Sequence, residues 1–155
     1  MITYPDFEAK KEILLNALGA LAKLGIVLPK VAALAANEKV SEKMPSTVDA
    51  RRLVELAEEG ALPPCEIEGP IAMDVALSSE AAAHKGIESA ISGDTDLFVV
   101  PNIEAGNMVG KTLMYCAGAK MAGVVLGGTR PIVMTSRAEN AEGKLNSILL
   151  ASLIS

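Results

Sequence analysis

The stretch Gly127–Asn140, GGTRPIVMTSRAEN, reads as an apolar strand that breaks at Thr135-Ser136-Arg137 and gives way to a helix. The same succession recurs upstream, which sets the fold class. Pro131 to Thr135 is the strand, and a helix is expected from Arg137 to about Leu153. A helix N-terminus offers unpaired backbone N–H groups and the positive end of a dipole, and here a hydroxyl and a guanidinium sit on it. That combination suits a phosphate or a phosphorylated substrate.

Working toward the N-terminus, Gly123 to Leu126 is a second short apolar strand, preceded by a long helix near Gly106 to Ala119. Leu97-Phe98-Val99-Val100 is a strand, and a Ser-capped helix covers about Ser79 to Ile91. Cys65-Glu66-Ile67-Glu68 reads as a strand closed by Gly69-Pro70, and Lys30-Val31-Ala32-Ala33-Leu34 as a short buried one. Between these two, MPSTVDARRLVELAEEG is a helix with Ser46 as its expected N-cap and Gly60 as its stop. Phe7, Leu14, Leu18 and Leu21 stand at helical spacing over Asp6 to Leu24, between Pro5 and Gly25.

Apolar runs that do not alternate are what a parallel sheet covered on both faces requires. The class expected is therefore α/β: a three-layer, mostly parallel sheet with helices on both faces and its site at the C-terminal strand ends.

Bulk properties narrow the function. The chain has 155 residues, half of them apolar, enough for a real core. It lacks an uninterrupted apolar span long enough to cross a membrane and a basic, then apolar, N-terminal leader, so no membrane role is expected. A net charge of −5 without a basic stripe argues against nucleic acid. Cys65 and Cys116 lack paired-motif spacing and read as reduced, mostly buried thiols of a cytoplasmic protein. His84, the one histidine, reads as solvated, and with no cysteine cluster it makes no zinc site.

Four separated strings carry a resemblance: NEKVSEKMPSTVDA, EIEGPIAMDVALSSEAAAHKG, DLFVVPNIEAGNMVGKTLMY and IVMTSRAENAEGKLNSI. In this order they resemble the C-terminal half of the phosphate acetyl/butyryltransferases, the butyryl branch most closely. The resemblance implies a transferase moving a short acyl group between coenzyme A and phosphate, with CoA as substrate, no covalently bound cofactor and no metal. It also implies a two-domain isocitrate/isopropylmalate dehydrogenase-like fold with the site in the interdomain cleft, and a homodimer formed through the second domain. Residues 1–130 would belong to that second domain, and the strand and helix of 131–155 would return to a first domain lying outside this sequence. The catalytic incompleteness of such a half is the competing expectation, leaving a CoA- or phosphate-binding or dimerisation domain.

Residue by residue, Ser136 and Arg137 are the candidate catalytic pair. A guanidinium can fork two phosphate oxygens, and a hydroxyl can donate to a developing oxyanion. The bland alternative is that Ser136-Arg137-Ala138-Glu139 is a capping box. Asn102, Gly106, Asn107, Lys111, Arg130 and Glu139 are the candidate CoA or phosphate contacts; taken alone, Asn102 and Asn107 read equally as turn and cap residues and Lys111 as a solvated charge. Asp74 reads as a turn cap or as a partner for a cation. The acetyl branch carries a candidate proton-accepting Asp seven residues after the motif Ser, where this chain has Gly143. Glu139 and Glu142 are the nearest carboxylates. The helix face of Leu145, Ile148, Leu149 and Leu153 is expected to pack on a partner subunit or back on the sheet.

Overall fold

A computed structural model describes residues 2–155. The elements run α1 (Phe7–Lys23), β1 (Lys30–Leu34), α2 (Pro45–Glu58), β2 (Glu66–Ile71), α3 (Met73–Leu77), α4 (Ser79–His84), β3 (Leu97–Val99), α5 (Ile103–Ala117), β4 (Val124–Val125), β5 (Ile132–Val133) and α6 (Ala141–Leu153). They form two compact units. One is Ile26–Pro101; the other joins the residues up to Gly25 with Asn102–Ser155.

The unit Ile26–Pro101 is built on a parallel sheet of order β2-β1-β3. Four consecutive residues of β1, Val31 to Leu34, are buried, because helices cover both faces of the central strand. On one face Ala32 and Leu34 join Ile71, Val75, Ala76, Ala82 and Ile91 in a single apolar cluster. On the other, α2 packs on β1 and β2 and buries Ala50, Leu53 and Val54. The parallel, two-sided α/β core expected from the apolar runs is present here.

Local differences have local causes. α2 starts at Pro45 rather than after a Ser46 cap, since Pro lacks the N–H that the first helical position leaves unused. The buried Thr47 hydroxyl closes the preceding loop instead, donating to the Met44 carbonyl at 2.8 Å and accepting from the Ser41 amide at 2.9 Å. β2 continues through Gly69-Pro70 to Ile71; it is an edge strand, where a residue without N–H costs little. The helix expected from Ser79 to Ile91 starts where expected, as α4 with Ser78 as its cap, but stops at His84, with Gly86 in the left-handed region beyond it; the short α3 precedes it.

In the other unit, α1 is capped by Asp6, whose carboxylate accepts from the Ala9 amide at 2.9 Å. Its Lys23 ammonium donates to the Ile154 carbonyl at 2.8 Å, tying the end of α1 to the end of α6. β4 and β5 pair antiparallel, Val124 with Val133 and Val125 with Ile132, which corrects the expectation that these strands continue a parallel sheet. Residues 126–131 are too few for a parallel crossover, which needs a dozen or more, so the chain can only turn back. Leu145, Ile148, Leu149 and Leu153 are exposed on α6 and do not fold back on the sheet. Cys116 is exposed, not buried; Cys65 is half-buried, and burial pushes its thiol up. No helix among the described residues is long and apolar enough to cross a membrane.

Candidate functional site

One wall of the site is a face of α5. Asn102, in extended conformation, caps the helix by accepting from the Ala105 amide at 3.0 Å. Its position is thereby explained by the helix start, the plainer of the two sequence readings. Gly106, Asn107, Gly110, Lys111 and Met114 follow at helical spacing and line one cavity with Tyr115. At Gly110 the missing side chain lets the Met121 methyl group come up against the helix, 3.4 Å from where a Cβ would stand. Gly118, at φ 67°, ends α5 in the left-handed conformation, and the chain turns so that Met121 also reaches the cavity.

The opposite wall is the segment after β5. Thr135-Ser136-Arg137 is a loop and not a helix start, which corrects the boundary expected at Arg137. The Ser136 hydroxyl accepts from the Ala138 amide at 3.3 Å, and the Ser136 carbonyl accepts from the Glu139 amide at 3.0 Å, making a turn. The cap of α6 is Asn140, whose side chain accepts from the Gly143 amide at 2.8 Å. Asn caps as well as Ser does, and it stands directly before the helical residues, so the S-x-x-E box does not form. Ser136 is thus not consumed as a helix cap.

This loop is fixed from behind. The Met134 amide donates to the Gly123 carbonyl at 3.0 Å, while the Gly123 amide donates at 2.9 Å to the hydroxyl of buried Ser147 on α6. Ser147 in turn donates to the Gly143 carbonyl at 2.7 Å. A side chain at position 123 would run into the Met134 carbonyl, so only glycine permits this approach.

Between the walls lies a cavity of about 140 Å³. Of the eight residues singled out in the sequence, Gly106, Asn107, Lys111, Ser136 and Glu139 line it. Three do not. Asn102 is the cap behind it; Arg137 is exposed beside Ser136 but off the wall; Arg130 lines a separate hollow of about 220 Å³ with Lys23 and the Gly127–Thr129 turn. The walls also include Gly110, Met114, Tyr115, Met121 and Ala138. Met114 and Tyr115 were findable, standing two turns beyond Gly106 on the same helix. Met121 was not, because it follows the helix stop and no periodicity reaches it.

Charge at the site is mixed: Lys111 from α5 faces a cavity whose one carboxylate is Glu139. Glu142 is engaged elsewhere, with its carboxylate 2.6 Å from the Lys120 ammonium, which that contact raises. In the Ile26–Pro101 unit Asp74 pairs with Lys85 at 2.9 Å, and Lys85 also reaches Glu38 at 3.0 Å. The Lys85 ammonium holds the Asp74 carboxyl below the usual carboxylate range. Asp74 is therefore a structural ion-pair partner for a cation on its own unit.

Residues 1–152 match the family model described as phosphate acetyl/butaryl transferase. The chain is 44% identical over 152 residues to a phosphate butyryltransferase of Clostridium acetobutylicum, covering 98% of this chain and 50% of that protein. It is 44% identical over 150 residues to a phosphate acetyltransferase of Rhizobium meliloti, covering 97% and 48%. The crystal structure of a branched-chain phosphotransacylase from Enterococcus faecalis V583 superimposes with a TM-score of 0.88 at 37% identity, over 99% of this chain and 55% of that one. The chain thus spans about half the length of the relatives it matches. With a match that runs through both walls of the cavity, the chain belongs to the phosphate acetyl/butyryl transferase family.

Proposed function

We propose that the protein is a phosphate acyltransferase interconverting acyl-CoA and phosphate with acyl phosphate and CoA. The observation that carries the reading is the convergence of Gly106, Asn107 and Lys111 with Ser136 and Glu139, about thirty residues on, at one cavity. Attack of a CoA thiolate on an acyl phosphate develops charge on the carbonyl oxygen and expels phosphate, so the site needs donors and fixed positive charge. Ser136, free of helix capping, supplies a hydroxyl donor on the wall. Lys111 supplies a cation, and Arg137, exposed beside Ser136 though off the wall, brings a guanidinium that can fork the oxygens of an approaching phosphate. Asn107 offers an amide to CoA, Arg130 a second anion contact, and Asn102 holds the α5 end in place.

In the same reading the fold is the second domain of an isocitrate/isopropylmalate dehydrogenase-like pair, with 131–155 returning toward the first domain. The protein works in the cytoplasm as a homodimer, whose partner or first domain covers the exposed apolar face of α6. Acetyl, butyryl and branched acyl groups are the substrates named for its relatives. The test is release of CoA from butyryl-CoA and acetyl-CoA, followed with a thiol reagent, with and without phosphate. Phosphate-dependent release is expected. CoA binding without release would replace the enzyme by a binding domain, and the absence of both binding and release would overturn the reading.

A further inference from the structure

Gly143 is buried in the first turn of α6, and a Cβ built there would fall onto the Glu139 carboxyl group. The space that a side chain at position 143 would need is therefore taken by Glu139, which arrives from the loop before the helix. Glu139 is also the one carboxylate on the cavity wall, on the same side as Ser136. The other nearby carboxylate, Glu142, is bound to Lys120 and does not line the cavity. The other titratable groups on the wall are Lys111 and Tyr115 from α5; Arg137 stands in the loop itself and Lys144 beyond Glu142 on α6.

From this arrangement we infer that Glu139 takes the proton of the CoA thiol, and that glycine at 143 is what lets its carboxylate lie there. The inference rests on the acyltransferase reading and assigns the one role that reading leaves open. An ionised carboxylate only accepts, so it can receive the thiol proton. The thiolate sulfur then bonds to the acyl carbon, the bond from that carbon to the phosphate oxygen breaks, and the phosphate leaves with the electron pair. The proton held by Glu139 passes to the departing phosphate, which balances the reaction as acyl-CoA plus hydrogen phosphate.

The experiment compares the wild-type protein with Glu139→Gln, an isosteric change at a loop position, in CoA-dependent turnover of butyryl phosphate from pH 6.5 to 9. General-base catalysis contributes about 10²–10⁴-fold. The variant is expected to lose at least about 100-fold in kcat at pH 7 with KM for CoA within about threefold. That loss should shrink as pH approaches about 8–9, where thiols ionise without help. Turnover within about threefold of wild type, or a loss that is equal at every pH, overturns the role of Glu139 and leaves the acyltransferase reading standing. A wild-type protein with no turnover sinks that reading, and this inference with it.

Discussion

Replacing Ser147 by Ala probes the clamp that holds the Ser136 loop against α6. The hydroxyl is buried at 1% exposure and does two things: it accepts from the Gly123 amide at 2.9 Å and donates to the Gly143 carbonyl at 2.7 Å. Alanine removes both bonds and takes from the Gly123 amide its acceptor on α6. A lost internal hydrogen bond costs about 0.5–1.5 kcal/mol net, and a buried donor left unpaired about 1–3. The expected loss of stability is therefore about 2 kcal/mol. With a urea dependence of about 2 kcal/mol/M, the unfolding midpoint should fall by about 1 M, read by helical circular dichroism. Ser152→Ala is the matched control on the same helix: its exposed hydroxyl donates only to the Ile148 carbonyl at 3.0 Å, so its midpoint should barely move. Equal shifts for the two variants would refute the clamp and show that the Gly123 amide contributes nothing through Ser147.

Gly69→Ala should destabilise by about 1–3 kcal/mol, because the new Cβ would stand 2.7 Å from the Ala33 Cβ and 3.0 Å from its carbonyl oxygen. Gly19→Ala, with open space around it in the middle of α1, should instead stabilise by about 0.5–1 kcal/mol; urea melts that rank the two alike would contradict the packing described. Asp74 has its folded-state pKa lowered by Lys85, so its contribution is present above the unfolded midpoint of about 3.9 and is lost as pH falls through the lower folded value. A carboxyl NMR titration should place the Asp74 midpoint below that figure and return it upward in Lys85→Ala; an ordinary midpoint in the wild type would remove the pairing. Arg137→Ala should weaken use of phosphate at least about tenfold, the loss of one charge-assisted contact, and unchanged phosphate kinetics would take Arg137 out of the site.

The parallel core was legible because burial on both faces writes itself into sequence as an unbroken apolar run. Lys30–Leu34 is read with its bounds intact for that reason. The antiparallel β4–β5 pair was not, since a two-residue strand looks the same in either direction and only the short connection decides. Helix starts failed where two capping residues competed: Ser136 and Asn140 are both competent, and the turn at Ser136 leaves the cap to Asn140. Five of the eight candidate residues share a cavity, three from one face of α5 and two from the loop before α6, whereas the positions of Arg130 and Arg137 depend on where a loop turns, which spacing does not encode. The relation between Glu139 and Gly143 is invisible in sequence, because it is a competition for one volume.

The central claim is that the cavity between α5 and the Ser136 loop receives CoA and phosphate. Amide NMR spectra of the labelled chain, recorded while CoA is added in the presence of phosphate, test it directly. The account predicts that the largest shifts fall on Gly106, Asn107, Lys111, Ser136 and Glu139 and saturate together. Saturable shifts confined to the Ile26–Pro101 unit, or no saturable shifts at these five residues, would contradict it.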